Sequence, residues 1–82
     1  MNYVATIGWF NDGSLSELFL NTSGKAGSEA DSNAADGATS ISLALQYGCP
    51  AEVIRHALKR NADGSATGPL AKALDVVSKM RP

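Results

Sequence analysis

The stretch from Asn21 to Pro50 constrains the fold more than any other part of this chain, because it has the pattern of a long helix. Small and apolar residues recur along it at helical spacing: Ala30, Ala34, Ala38, Ile41 and Leu45. Gly48 followed by Pro50 is a typical helix stop. Because most of this face is alanine, a neighbouring element can approach it closely. The stretch therefore predicts the central helix of a small domain.

A glycine-punctuated loop, GKAGS over residues 24–28, precedes this helix. Ser28, with Asp31 three positions later, is similar to a capping box. Main-chain N–H groups at a helix N-terminus, together with Lys25 and the Ser28 hydroxyl, suit an anion such as phosphate. The candidate anion-binding residues are Gly24, Lys25, Gly27 and Ser28. The alternative is a tight strand-to-helix connection that needs glycine for its backbone angles and uses Ser28 as the cap.

Two segments rich in strand-forming residues, 3–10 and 14–20, flank Asn11-Asp12-Gly13. An Asp-Gly pair in this position predicts a β-hairpin, because glycine accepts the positive φ that such turns need. Bulky residues fall on both sides of the first strand, so neither side is cleanly polar. One interpretation is that helices cover one face and that a partner or a second copy covers the other. An isolated hairpin is marginal in water, so we expect self-association, with a dimer favoured.

Two further helices are predicted after Cys49. Pro50 fits the first turn of the second helix. The apolar stripe predicted for that helix is Val53, Ile54, Ala57 and Leu58. The third helix begins near Pro69, and its predicted apolar face is Leu70, Ala73, Leu74, Val77 and Met80. The order strand, strand, helix, helix, helix predicts an α+β fold (ββααα), a single small domain over residues 1–82 in which the hairpin packs against three helices.

The composition excludes several classes of protein. The chain has 82 residues, a net charge of −1 and 44% hydrophobic residues, so it should fold as one small domain. One cysteine, Cys49, and one histidine, His56, exclude an internal disulfide and a four-ligand zinc site made of these residue types. No apolar run approaches ~18 residues and the N-terminus has no signal-peptide pattern. We expect a cytoplasmic protein with no metal, no cofactor, no membrane association and no direct nucleic-acid binding.

Three segments resemble the TSCPD domain family, which is found at the C-terminus of adenosylcobalamin-dependent ribonucleotide reductases and as short stand-alone proteins. They are Phe19-Leu20-Asn21-Thr22, the GKAGS loop, and Ile41-Ser42-Leu43-Ala44-Leu45. The similarity continues through Gly48, Pro50, Glu52, Ile54 and Leu58, and through residues 69–74. It spans nearly the whole chain. The resemblance implies the same α+β fold and an accessory, binding-type role.

This chain departs from the family at the motif that gives the family its name. The Thr-Ser-Cys-Pro-Asp motif corresponds here to Ala66-Thr67-Gly68-Pro69-Leu70. The cysteine is replaced by Gly68 and the acid by Leu70, so no thiol or metal role carries over at this place. Reductase chemistry does not carry over either, because it needs a large barrel domain and several cysteines.

Two groups of residues are candidates for contact with a partner. Arg55 and Lys59 lie four positions apart on the predicted second helix, so they share a side, and Arg60 lies next to it. This basic patch suits an acidic or phosphate-bearing partner, whereas the alternative is an ordinary solvated helix face. Trp9 and Phe10 form the second group, because aromatic residues are enriched at interface hot spots. The alternative for Trp9 and Phe10 is that they pack in the core.

The sequence pairs no nucleophile with a base, so an enzyme is not expected, and Cys49 is interpreted as structural. The predicted function is a non-catalytic protein-binding module, related to the ribonucleotide reductase accessory domain, that contacts a nucleotide- or nucleic-acid-handling protein. The alternative is a phage- or mobile-element-encoded inhibitor of a bacterial defence complex such as CRISPR interference, that is, an anti-CRISPR protein.

Overall fold

The computed structural model describes residues 3–22 and 29–80 and confirms the predicted ββααα order. Strand β1 spans Tyr3–Trp9 and strand β2 spans Leu15–Thr22. Helix α1 spans Glu29–Gln46, α2 spans Ala51–Ala57 and α3 spans Pro69–Lys79. The two strands form one antiparallel sheet. None of the helices in the described ranges is long and apolar enough to cross a membrane.

The hairpin turns at Asn11-Asp12-Gly13, as the Asp-Gly pair predicts. Gly13 has a φ of 87°, in the left-handed region that favours glycine. Its N–H donates to the Phe10 carbonyl at 2.9 Å, and the Phe10 N–H donates to the Ser14 carbonyl at 2.7 Å. The Asp12 carboxylate accepts the Ser14 N–H at 2.9 Å. Local chemistry therefore determines where the chain reverses.

Strand β2 carries one extra residue close to the turn. The register pairs Gly8 with Glu17 but Trp9 with Leu15, so Ser16 has no opposite residue in β1. Such a bulge shifts the alternation of side chains by one place. Leu15 consequently faces the same side as Leu18 and Leu20, and all three are buried.

Helix α1 is the central helix, and it packs along β2. The described part of its predicted face is buried: Ala34, Ala38, Ile41 and Leu45. The small residues allow the predicted close approach, because a Cβ atom added to Gly37 would lie 2.5 Å from Cδ1 of Leu70 in α3. Together with the strand leucines, this face forms the core.

Gly48 ends α1, as predicted, with a φ of 97°. The Cys49 N–H donates to the Ala44 carbonyl at 2.9 Å and the Gly48 N–H donates to the Leu45 carbonyl at 3.1 Å. This pair of hydrogen bonds is the Schellman arrangement. Pro50 lies directly before α2 as its N-cap, rather than in its first turn. The turn brings the start of α2 back towards the hairpin.

Helix α2 is shorter and more exposed than the sequence predicted. It ends at Ala57 and has no buried residue. Ile54 and Leu58 pack against the core, but Val53 is 59% exposed and Ala57 is exposed as well. The predicted four-residue stripe is therefore wrong for Val53 and Ala57, because no element in the described part of the chain covers the side on which they lie.

Helix α3 begins at Pro69, as predicted, and buries Leu74 and Val77. It also buries Ala71, which was not predicted from the sequence. Met80 was predicted to extend the apolar face; it lies on the same side as Ala73 and Val77 but is not buried. Met80 follows the last helical residue as the C-cap and is 54% exposed.

Candidate protein-binding site

The structure brings Trp9 and Arg55, two of the predicted partner-binding residues, to the walls of one cavity of about 180 Å³. We call it the turn-end cavity, because it lies where β1 reaches the hairpin turn. The start of α2 contributes Pro50 and Ala51, and α3 contributes Leu74. The walls are mostly apolar, and the volume suits a single side chain of a partner.

The local structure explains why these elements meet. The bulge in β2 places Leu15 opposite Trp9 at the closed end of the hairpin. The Gln46 side-chain amide donates to the Ser16 carbonyl at 2.8 Å, which holds the end of α1 against the beginning of β2. The turn at Gly48 places the start of α2 at the same end of the molecule.

Two carboxylates hold the Arg55 guanidinium at the cavity wall. Its Nη2 lies 2.9 Å from Oε2 of Glu52, and its Nη1 lies 3.1 Å from Oδ1 of Asp75. Hydrogen bonding to Glu52, and then to Asp75, raises the pKa of Arg55 above its usual value. The guanidinium is therefore charged and fixed in position before any partner arrives.

Asp75 of α3 binds two arginines. Arg60 makes a bidentate contact, with Nη1 at 2.6 Å from Oδ2 and Nη2 at 2.8 Å from Oδ1. Arg60 Nη2 also donates to the Arg55 carbonyl at 3.1 Å. Hydrogen bonds from Arg60, and secondarily from Arg55, hold the pKa of Asp75 well below its usual value of 3.8. We call Arg55, Arg60 and Asp75 the ion-pair cluster; it joins α2 and the segment after it to α3.

The predicted basic patch does not exist as one side of a helix. Since α2 ends at Ala57, Lys59 is not one helical turn beyond Arg55. The Arg55 and Arg60 side chains are only 24% and 22% exposed because they turn towards Asp75, whereas Lys59 is exposed. The geometry predicted for the patch is therefore wrong. A partner-binding role for Arg55, Lys59 and Arg60 stays a prediction.

Trp9 and Phe10 differ in their surroundings although they are adjacent. Trp9 is partly buried, packs against the core and also lines the turn-end cavity. Phe10 is 39% exposed. The two interpretations of Trp9, core packing and partner contact, are thus compatible in this structure.

A second opening, wider and shallower, runs between β1 and α3 with a volume of about 520 Å³. We call it the β1–α3 groove. Its walls include Tyr3, Ala5 and Ile7 of β1, with Val76 and Met80 on the opposite side. This groove was not predicted from the sequence. Two sequence features are consistent with it. Tyr3, Ala5 and Ile7 alternate along β1 and so share one face, and Val76 and Met80 are four positions apart, which is about one helical turn.

Several predictions fall on residues that the structure does not describe. Gly24, Lys25, Gly27 and Ser28 lie outside the described residues, so anion binding by this loop stays a prediction. The capping box of Ser28 with Asp31 also stays a prediction, and so does the burial of the Ala30 side chain. Within residues 3–22 and 29–80, no group of three or more His, Cys, Asp or Glu residues is placed to hold a metal ion.

Comparisons with protein-family models, with curated proteins and with solved structures find no match for this chain. The resemblance to the TSCPD family therefore stays a prediction that depends on the residues quoted for it.

Proposed function

We propose that this protein is a non-catalytic binding module that holds a partner protein at the turn-end cavity. The observation that supports this function is the meeting of Trp9 and Arg55, which are far apart in the sequence, at one side-chain-sized cavity. Tryptophan and arginine are among the residue types most enriched at interface hot spots, and such residues act from well-packed, desolvated pockets.

The electrostatics of the site indicate which contacts matter. Glu52 and Asp75 already neutralise Arg55, so the cavity offers little net attraction to a charged group. Holding the guanidinium in place reduces the conformational entropy that binding would otherwise cost. We therefore propose that the partner inserts an apolar side chain against Trp9 and presents a neutral oxygen acceptor, such as a main-chain carbonyl, towards Arg55.

The resemblance to the TSCPD family suggests the class of partner. The leading version is a nucleotide- or nucleic-acid-handling protein, with an adenosylcobalamin-dependent ribonucleotide reductase as the first candidate. The test is interferometry against the purified reductase of that class from the same organism. Trp9→Ala should raise the Kd by about tenfold or more, which corresponds to at least ~1.4 kcal/mol.

Two further variants make this test specific. Lys79→Ala is the matched surface control and should leave the Kd within about twofold, because Lys79 is exposed and does not line the cavity. Trp9→Phe keeps an aromatic ring against the core and should melt closer to wild type than Trp9→Ala does. If the reductase does not bind the wild-type protein, the reductase version is wrong. If binding occurs but is insensitive to Trp9→Ala, the turn-end cavity is not the site.

A further inference from the structure

The two edges of the hairpin differ in how their main-chain groups are satisfied. On β2, the Ser42 hydroxyl accepts the Leu18 N–H at 2.8 Å and donates to the Leu18 carbonyl at 2.8 Å. Gln46 donates to the Ser16 carbonyl at 2.8 Å. Side chains of α1 thus occupy the place that a neighbouring strand would take, and they close the β2 edge.

This arrangement determines which groups of β1 point away from β2. The Leu18 main-chain groups are directed at α1, so Leu18 and its partner Ile7 form a pair that exchanges no main-chain hydrogen bonds. By alternation, the N–H and C=O groups of Tyr3, Ala5 and Ile7 point to the outer edge of β1. Among the described residues, no hydrogen bond is made to these outward groups.

The β1 edge carries none of the usual features that prevent strand addition. The strand sequence, YVATIGW, has no charged residue and no proline, whereas natural edges are typically protected by lysine, proline or bulges. The bulge of this hairpin lies on β2 instead. Along the open edge runs the β1–α3 groove, where Val76 is 53% exposed and Met80 is 54% exposed.

We propose that a second copy of this chain pairs with the β1 edge, strand β1 against strand β1, to form a four-stranded antiparallel sheet. A two-fold axis at Ala5 places Ala5 opposite Ala5 of the second copy and Tyr3 opposite Ile7 of the second copy. Each of these pairs exchanges two main-chain hydrogen bonds, because their groups already point outward. The small Ala5 side chain leaves room at the axis, and the added strand extends the sheet over Val76 and Met80.

Charge favours a second copy over a different partner. An uncharged edge meets itself without like-charge repulsion, and one surface patch serves both subunits, as a two-fold interface requires. Lys72 is the one charged residue among the described residues that line the groove, so the groove offers little to a charged peptide. This surface is also distinct from the turn-end cavity: of the described lining residues, the two openings share only Val77. A dimer can therefore hold a partner at each end.

The first experiment combines sedimentation with amide hydrogen exchange measured from micromolar to millimolar protein. The mass should rise towards twice the 8.5 kDa of one chain. The Ala5 amide should exchange fast when dilute and become protected as the dimer forms, whereas the Thr6 amide, which faces β2, should be protected throughout. A protein that stays monomeric at millimolar concentration overturns the proposal. So does a dimer in which the Ala5 amide still exchanges fast.

The second experiment uses variants of the edge. Ala5→Pro removes only an outward N–H and is compatible with an edge strand, so the dimer Kd should rise roughly tenfold or more while the hairpin is kept. Ala5→Lys, should the proline variant fail to fold, places like charges at the axis and should have the same effect. Phe19→Lys is the control, because Phe19 is 38% exposed on the other face of the sheet. If Phe19→Lys dissociates the dimer and the Ala5 variants do not, the interface is that face and not the β1 edge.

Discussion

Helices α1 and α2 are attached to the rest of the molecule by different interactions. Helix α1 has 18 residues and a buried face against β2, where Leu18 is 0% exposed. Helix α2 has seven residues, none of them buried, and its polar attachment is the contact of Arg55 with Asp75 of α3. Apolar burial contributes about 25 cal/mol per Å², whereas partly exposed ion pairs contribute little to stability.

Stability and the position of Arg55 should therefore depend on different regions. The α1–β2 layer should supply most of the free energy of unfolding. The ion-pair cluster holds Arg55 at the wall of the turn-end cavity and should contribute little to that free energy. Binding surfaces are often built from such less stable regions of a fold. Three substitutions test this difference, in order of their expected effect on the free energy of unfolding, from the α1–β2 layer to the ion-pair cluster.

Leu18→Ala should have the largest effect. Leu18 of β2 is fully buried against α1. Its truncation removes apolar contacts and leaves a cavity, which should cost about 2–5 kcal/mol of unfolding free energy. Urea unfolding monitored by circular dichroism measures the change. Phe19→Ala, at the next position on the exposed face, is the matched control and should cost much less. Equal losses for the two variants would show that the α1–β2 layer is not the main source of stability.

Ser42→Ala should have an intermediate effect. The substitution removes the buried hydroxyl that hydrogen-bonds to both the N–H and the carbonyl of Leu18. Leaving these two buried groups unsatisfied should cost about 1–3 kcal/mol of unfolding free energy. Ser40→Ala is the control, because the exposed Ser40 hydroxyl donates only to the Asp36 carbonyl of its own helix. The same urea titration compares them. A Ser42→Ala protein as stable as Ser40→Ala would mean that water replaces the hydroxyl at no cost.

Asp75→Asn should have the smallest effect on global stability but a distinct pH dependence. The pKa of Asp75 is lowered in the folded state by its hydrogen bonds with Arg60 and Arg55. Its contribution is therefore fully present above the usual pKa of 3.8 and is lost as the pH falls towards the lower folded value. The Tm of wild type should exceed that of Asp75→Asn at neutral pH, and the gap should close below about pH 4.

Asp36→Asn, on the exposed side of α1, changes the net charge by the same amount and serves as the control for the Asp75 variant. Chemical shifts of α2 and of residues around the turn-end cavity should move in Asp75→Asn and not in Asp36→Asn. A Tm gap between wild type and Asp75→Asn that is independent of pH would contradict an ionic role for this carboxylate.

Local signals made most of the fold predictable. Gly13 and Gly48 both adopt positive φ, and each marks a chain reversal that its neighbours in the sequence already indicate. The spacing of Ala34, Ala38 and Ile41 identified the buried face of α1 because that face meets another element along its length. The prediction from spacing was wrong at Val53, which is 59% exposed, because periodicity shows which side of a helix is apolar but not whether another element covers that side.

The candidate site was predicted less well, because it depends on residues that are distant in the sequence. Trp9 and Arg55 were selected for their residue types, but nothing local indicated that they line one cavity. The contact of Arg60 with Asp75 joins two segments across a loop. Because of this contact, Arg60 is paired within the molecule instead of lying on an exposed basic patch. The extra residue at Ser16 is also invisible to an alternating pattern, and it decides where Leu15 and Trp9 meet.

The bonds between Ser42 and Leu18 have a consequence for how the molecule opens locally. The Leu18 N–H donates to a side chain of α1, so it can reach water only when α1 moves away from β2. Helix α2 has no buried residue of its own, so it can detach without opening the α1–β2 layer. We therefore expect the α2 wall of the turn-end cavity to open more often than the core beside it.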